Sequence, residues 1–204
     1  MTEMAALETL QQLMPPTAAS DTSVDWGRMS ESWGKEFPSD FRRFVEAYGA
    51  GTIEDYLSVL KPEPKGVEPG PDDMLMETLN AEKAWAREPK SPDLVDTASE
   101  LIAWGLDSSS DILCWDASGD DPEAWPVLVR SRDGNLWSRY DCGMVEFLVR
   151  ILRAGFADCP LSGVSLWGKH PAVFLNQREY QRLLKAGQDP WTGEPDPYAG
   201  MFGD

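Results

Sequence analysis

Five short apolar segments follow one another in one stretch of the chain, and they constrain the fold more than any other feature. They read LIAWG at 101–105, ILCW at 112–115, WPVLV at 125–129, LWSRY at 136–140 and GMVEFLVRIL at 143–152. The first four are strand-length, rich in β-branched and aromatic residues, and separated by Ser, Asp, Gly and Pro. They predict strands over 100–106, 111–116, 126–131 and 135–140. Connections this short leave no room for crossover helices, so they predict an antiparallel meander. SRDGN at 131–135 carries the Asp-Gly pair that favours a tight hairpin between the last two strands. The fifth segment predicts a helix over 143–154, with Met144, Phe147, Leu148, Ile151 and Leu152 facing inward.

Upstream, Trp26, Met29 and Trp33 share one helical face, and Gly34 can end that helix. A second helix follows Pro38, with Ser39 or Asp40 as its cap and a stripe of Phe41, Phe44, Val45 and Tyr48 at i, i+3, i+4 and i+7. Gly49 and Gly51 supply its left-handed termination, and TIEDYLSVL at 52–60 begins the sheet. A Pro/Gly-rich loop at 61–73 precedes a helix at 74–88, capped by Asp72 or Asp73, with Leu75, Leu79, Ala84 and Trp85 as its apolar face. Met4, Leu7, Leu10, Leu13 and Met14 predict an amphipathic first helix, packed either on the domain or on another chain. PPTAASDTS at 15–23 reads as a linker, and residues 155–175 as irregular or holding one short element. Asn176 and Glu179 form a capping box for a last helix to about Lys185, and the tail from 188 is acidic and Gly/Pro-rich.

At 204 residues the chain suits one domain, and 42% hydrophobic residues with nine tryptophans mark a packed core. The balance of 18 basic against 35 acidic residues, −17, excludes the clustered cations a nucleic-acid binder needs. It also opposes an anionic membrane surface. Solubility is one reading of this acidity, and a basic protein partner is the other. Cys114, Cys142 and Cys159 form an odd, widely spaced set without a CxxC pair, which reads as reduced and intracellular. No apolar run is long enough to span a bilayer, and MTEMAALETLQQLM has acids where a signal peptide carries positive charge. The expected location is cytoplasmic.

The search for chemistry returns little. The single histidine, His170, cannot build a His-rich metal site, and a Cys142–His170 pair lacks any nucleophile motif. Phosphate-loop, dinucleotide, nucleophile-elbow and zincin motifs are missing from the sequence. No catalytic residue, metal ligand or cofactor is therefore assigned. The stretch DSSSDILCWDASGDDPE at 107–123 stands out, with Asp107, Asp111, Asp116, Asp120, Asp121 and Glu123 and no Lys or Arg. Its spacing fails the calcium-loop pattern. Solvated loop tips are one reading, and a partner-facing acidic rim is the other. Trp115 and Trp125 stand beside it, as core residues or as anchors. Arg130, Arg132, Arg139, Arg150 and Arg153 are expected to pair with local acids.

Trp33-Gly34, Phe37-Pro38-Ser39-Asp40-Phe41, Phe44 and Tyr48-Gly49-Ala50-Gly51-Thr52-Ile53 resemble the opening signature of the SUKH superfamily. That superfamily includes fungal cell-wall-assembly regulators and bacterial immunity proteins. The segments at 101–105, 111–115 and 125–127 resemble its central strands, and 143–152 its closing helix. The resemblance covers 24–157, with an insertion at 61–99, a helix and linker at 1–23, and a helix and tail at 158–204. It implies an α+β domain, a mixed or antiparallel sheet flanked by helices. It also implies a non-enzymatic module that neutralises a cognate toxin by direct contact, and a basic nuclease toxin would suit the charge. The alternatives are an adaptor of the same fold for an endogenous partner, and a carboxylate or thiol hydrolase. Oligomeric state is left open.

Overall fold

A computed structural model describes residues 3–20, 22–65, 73–95 and 99–195. The side chain of Met4, the possible cap Asp72 and the tail beyond 195 lie outside the described residues. The four predicted strands form as β3 (Leu101–Asp107), β4 (Ile112–Asp116), β5 (Val127–Ser131) and β6 (Leu136–Tyr140). β1 (Gly51–Ile53), β2 (Leu57–Val59) and β7 (Phe174–Asn176) complete one antiparallel sheet in the order β6-β5-β4-β3-β2-β1-β7. With six α-helices among the described residues, the architecture is α+β. β7 is a short element whose strand character was not read from the sequence, because only three residues pair and their partner β1 lies 121 positions upstream at the pairing of Ile53 with Phe174.

Side chains alternate between two covered faces. On one face, α3 (Ser39–Tyr48) and α5 (Met144–Leu152) meet the tryptophans. Phe41 packs edge-on against Trp115 at 4.9 Å, and Phe147 against Trp104 at 6.1 Å. α1 (Glu3–Leu13) lies along α5 and buries Ala6, Leu10 and Met14, so it packs on its own domain. α2 (Trp26–Trp33) ends at Gly34 in the left-handed conformation, φ 72°, and adds Met29 and Trp33 to the same core. The opposite face is covered by α4 (Met74–Trp85), whose Trp85 meets Trp137 of β6 at 5.1 Å.

α4 keeps Leu75, Ala84 and Trp85 of its expected face against the core, but not Leu79. Asp73 caps it, but Met74, Thr78 and Ala81 are buried while Leu79 is exposed. The reason lies in β3. A bulge between Ala103 and Gly105 breaks the ladder, and the Ala103 N–H donates to Thr78 Oγ1 at 2.9 Å. An unpaired buried amide costs more than one exposed leucine, so the helix rolls to bring the hydroxyl in. The SRDGN hairpin also differs. Its loop spans residues 132–135, and Asn135, not Gly134, takes the positive φ. α6 (Gln177–Lys185) has the Asn176 half of its capping box, while Glu179 turns to Arg182.

Other parts of the chain touch both sheet edges. Trp137 of β6 exchanges hydrogen bonds with Pro89 and Ser91, and the Phe174 carbonyl of β7 accepts from Thr17 Oγ1 at 2.7 Å. β1 approaches β7 so closely that a Cβ on Gly51 would lie 2.2 Å from the Leu175 carbonyl oxygen. Gly51 is thus required for contact, and Gly49 for its φ of 81°. Gly51→Ala should lower stability by about 2–3 kcal/mol in urea denaturation. A loss below about 0.5 kcal/mol would contradict the close approach.

Candidate functional site

Two helices begin side by side, and neither carries its own side-chain cap. α3 starts after Pro38, which has no hydroxyl or carboxylate to offer, and α5 starts after Gly143. Their exposed N–H groups still need acceptors. The expected caps, Ser39 and Asp40, do not serve α3. Ser39 is its first helical residue, and its N–H and hydroxyl donate to Glu123 Oε1 and Oε2 at 2.9 and 3.1 Å. Asp40 reaches across instead, and its Oδ2 accepts from Val145 N of α5 at 3.0 Å. Gly143 makes that reach possible, since a Cβ there would sit 2.7 Å from the same oxygen. Both carboxylates therefore lie at the positive ends of helix dipoles.

A short 3-10 turn, Pro122–Ala124, aims Glu123 at α3 and is itself capped by Asp121, whose Oδ1 accepts from Glu123 N at 3.1 Å. Trp125 follows, pinned by its indole N–H to the Gly119 carbonyl at 2.8 Å. Between these elements opens a cleft of about 240 Å³, walled by Pro38, Asp40, Glu123, Trp125, Cys142 and Glu146 among others. It continues along Glu123, Trp125 and Cys142 into a second hollow that adds Asp141. No described Lys or Arg lines either part. Such a lining suits a cation far better than an anion.

Cys142 lines the cleft as a thiol. Burial pushes it up to about 12, Glu146 and Asp141 add to the effect, and Arg150 opposes it. At neutral pH it holds its proton and is a poor nucleophile. His170 stands exposed in the loop before Pro171. Among the described residues no group of three or more His, Cys, Asp or Glu is placed to hold a metal ion.

The six acids predicted as one rim separate across the sheet. Asp107 and Asp111 flank the β3–β4 turn, while Asp116, Asp120, Asp121 and Glu123 belong to the connection at the other end of β4. Asp107, Asp111 and Asp116 are buried. Asp116 accepts from Ser99, from the Ser118 N–H and from the Ser118 hydroxyl, and Asp111 staples three loop donors. Asp120 and Asp121 are exposed beside the cleft, and Glu123 forms part of its wall. Trp115 and Trp125 are both core. The arginines divide as well. Arg130 pairs with Glu88 at 2.6 Å, Arg139 with Asp141 at 2.7 Å, and Arg150 lies 4.1 Å over the Phe156 ring. Sequence reasoning missed Asp40 and Glu146 as cleft residues. The available signal was two helix starts at Pro38 and Gly143 with no local acceptor.

No protein-family model, curated protein or solved structure matches the chain. Among the described residues no helix is long and apolar enough to cross a membrane.

The caps set a ranking. Asp40→Ala removes a buried, charged acceptor and should cost about 2 kcal/mol, whereas Glu123→Ala, at an exposed position, should cost about 1 kcal/mol. Chemical denaturation of both variants checks the order, and a larger loss at Glu123 would contradict it.

Proposed function

We propose that this chain is a non-enzymatic protein-binding module whose acidic cleft receives basic side chains of a protein partner. One observation carries the reading. Asp40, Glu123, Glu146 and Asp141 line a continuous depression without a basic residue, and Asp120 and Asp121 stand exposed at its border. The net charge of −17 extends the same field over the whole molecule and would steer a basic partner toward it. Two wall carboxylates are already hydrogen-bonded to helix amides, so the cleft keeps its shape before a partner arrives. Preorganisation of that kind lowers the entropy lost on binding.

The SUKH resemblance gives the partner a class. In this reading the chain is a bacterial immunity protein, and the partner is a basic toxin domain whose active surface is covered by the cleft and its border.

Affinity capture from native lysate, with Asp120→Lys/Asp121→Lys in parallel, tests the proposal. The wild type should retain a discrete basic protein, with affinity falling as salt rises, and the double variant should bind it about ten-fold or more weakly. Co-expression should then protect cells from that protein if it is a toxin. A partner that is not basic, or one retained equally by the variant, would overturn the acidic-cleft reading.

A further inference from the structure

At the end of the sheet away from the cleft, Asp107 and Asp111 are enclosed together, with 4% and 0% exposure. Asp111 is fully engaged. Its Oδ1 accepts from Arg132 N and Ser162 Oγ, both at 2.6 Å, and its Oδ2 accepts from Ser162 N at 2.5 Å. Ser162 belongs to the irregular segment after α5, so this carboxylate fastens that segment to the sheet. Tyr56 holds the next residue, its hydroxyl accepting from Gly163 N at 3.0 Å. A Cβ on Gly163 would lie 2.3 Å from that oxygen, so the segment is seated tightly.

Asp107 is placed differently. Its Oδ1 accepts from the N–H groups of Ser109 and Asp111, both at 2.9 Å. Its Oδ2 is buried without a hydrogen-bond partner among the described residues; Tyr56 and Asp111 are its polar neighbours, and the Tyr56 hydroxyl also shares a hydrogen bond with Ser109 Oγ at 3.1 Å. The other titratable or charged groups around the pair are Cys159 from the docked segment, Arg132 and Asp133 from the β5–β6 loop, and Arg130 from β5. Arg130 is committed to Glu88 through two hydrogen bonds and to the Ser110 carbonyl. It does not neutralise Asp107 directly.

We propose that Asp107 is a proton-operated latch on the 159–163 segment: with its proton the segment is held by Asp111 and Tyr56, and without it the segment loosens. Two adjacent enclosed carboxylates cannot both ionise without repulsion. Asp111 already accepts from three donors, whereas one Asp107 oxygen accepts from none. Burial first, and the Asp111 charge after it, push the Asp107 carboxyl above its ordinary range, up to about 6. The folded state thus binds this proton more tightly than the unfolded chain. The associated stabilisation is full below about pH 4 and is lost as pH rises through about 6. Tyr56 is pushed up to about 12, mainly by burial, and stays neutral over this range.

Hydrogen exchange of the full chain at about pH 5.5 and about pH 7.5 tests the latch, with Asp107→Asn fixing the neutral form. Wild-type protection factors at Ser162 and Gly163 should fall about five-fold between the two conditions, while the variant keeps one value at both. Equal pH dependence in the two proteins, or none in the wild type, would overturn the proposal. Should the variant fail to fold, wild-type NMR gives a second arm. The Asp107 carboxyl carbon and the Ser162 and Gly163 amides must titrate with one midpoint, and separate midpoints would overturn it.

Discussion

The first turn of α5 is held by a carboxylate that belongs to another helix. Asp40 accepts from Val145 N across 105 residues of sequence, and Glu123 does the same for α3 across 84. Each bond meets an obligation of backbone chemistry, since the first N–H groups of a helix have no partner within it. Meeting it from a distance ties α3, α5 and the β4–β5 connection into one junction. The tryptophan face of the sheet then closes under that junction, with Phe41 on Trp115 and Phe147 on Trp104. Area decides the stability of that core, but the junction decides how the helices enter it. Among the described residues, the enclosed indole N–H groups of Trp104, Trp115 and Trp137 have no hydrogen-bond partner. Each unpaired N–H costs about 1–3 kcal/mol, comparable to what burying a large aromatic side chain contributes. Such tryptophans act as packing volume and leave polar work to other residues.

Acidic residues in this protein therefore fall into two groups that composition cannot separate. Asp107, Asp111 and Asp116 turn inward and hold loops, and Asp40 turns inward to hold a helix. Asp120 and Asp121 turn outward beside the cleft. Much of the acidity in the 107–123 stretch is thus structural, and what remains for a partner is concentrated at one end of the sheet. Two hydroxyl side chains show the same logic on a smaller scale. Thr78 completes a strand bulge, and Ser162 completes the seating of a loop.

The meander from 101 to 140 was legible because each strand is a short apolar run rich in β-branched and aromatic residues and each turn carries its own signal. The α3 stripe and the Gly34 and Asn176 helix ends were legible for the same local reason. Non-local needs were not. β7 forms because β1 offers it an edge, and nothing within three residues records that. α4 rolls to satisfy an amide in β3, which overrides its own leucine pattern. Asp40 sits where a local cap is expected, and only the proximity of Gly143 reveals its true recipient. The site was half legible: Glu123, Asp120 and Asp121 lay in the acidic stretch, while Asp141, Glu146 and Asp40 lie 18, 23 and 83 positions from Glu123 on the chain.

A double-mutant cycle on Asp40→Ala and Glu123→Ala tests most directly whether the two helix starts form one unit. Shared support of the α3 start predicts non-additive losses, with a coupling energy of at least about 0.5 kcal/mol in denaturation. Losses that add to within about 0.3 kcal/mol would show two independent caps and contradict the junction on which the cleft is built.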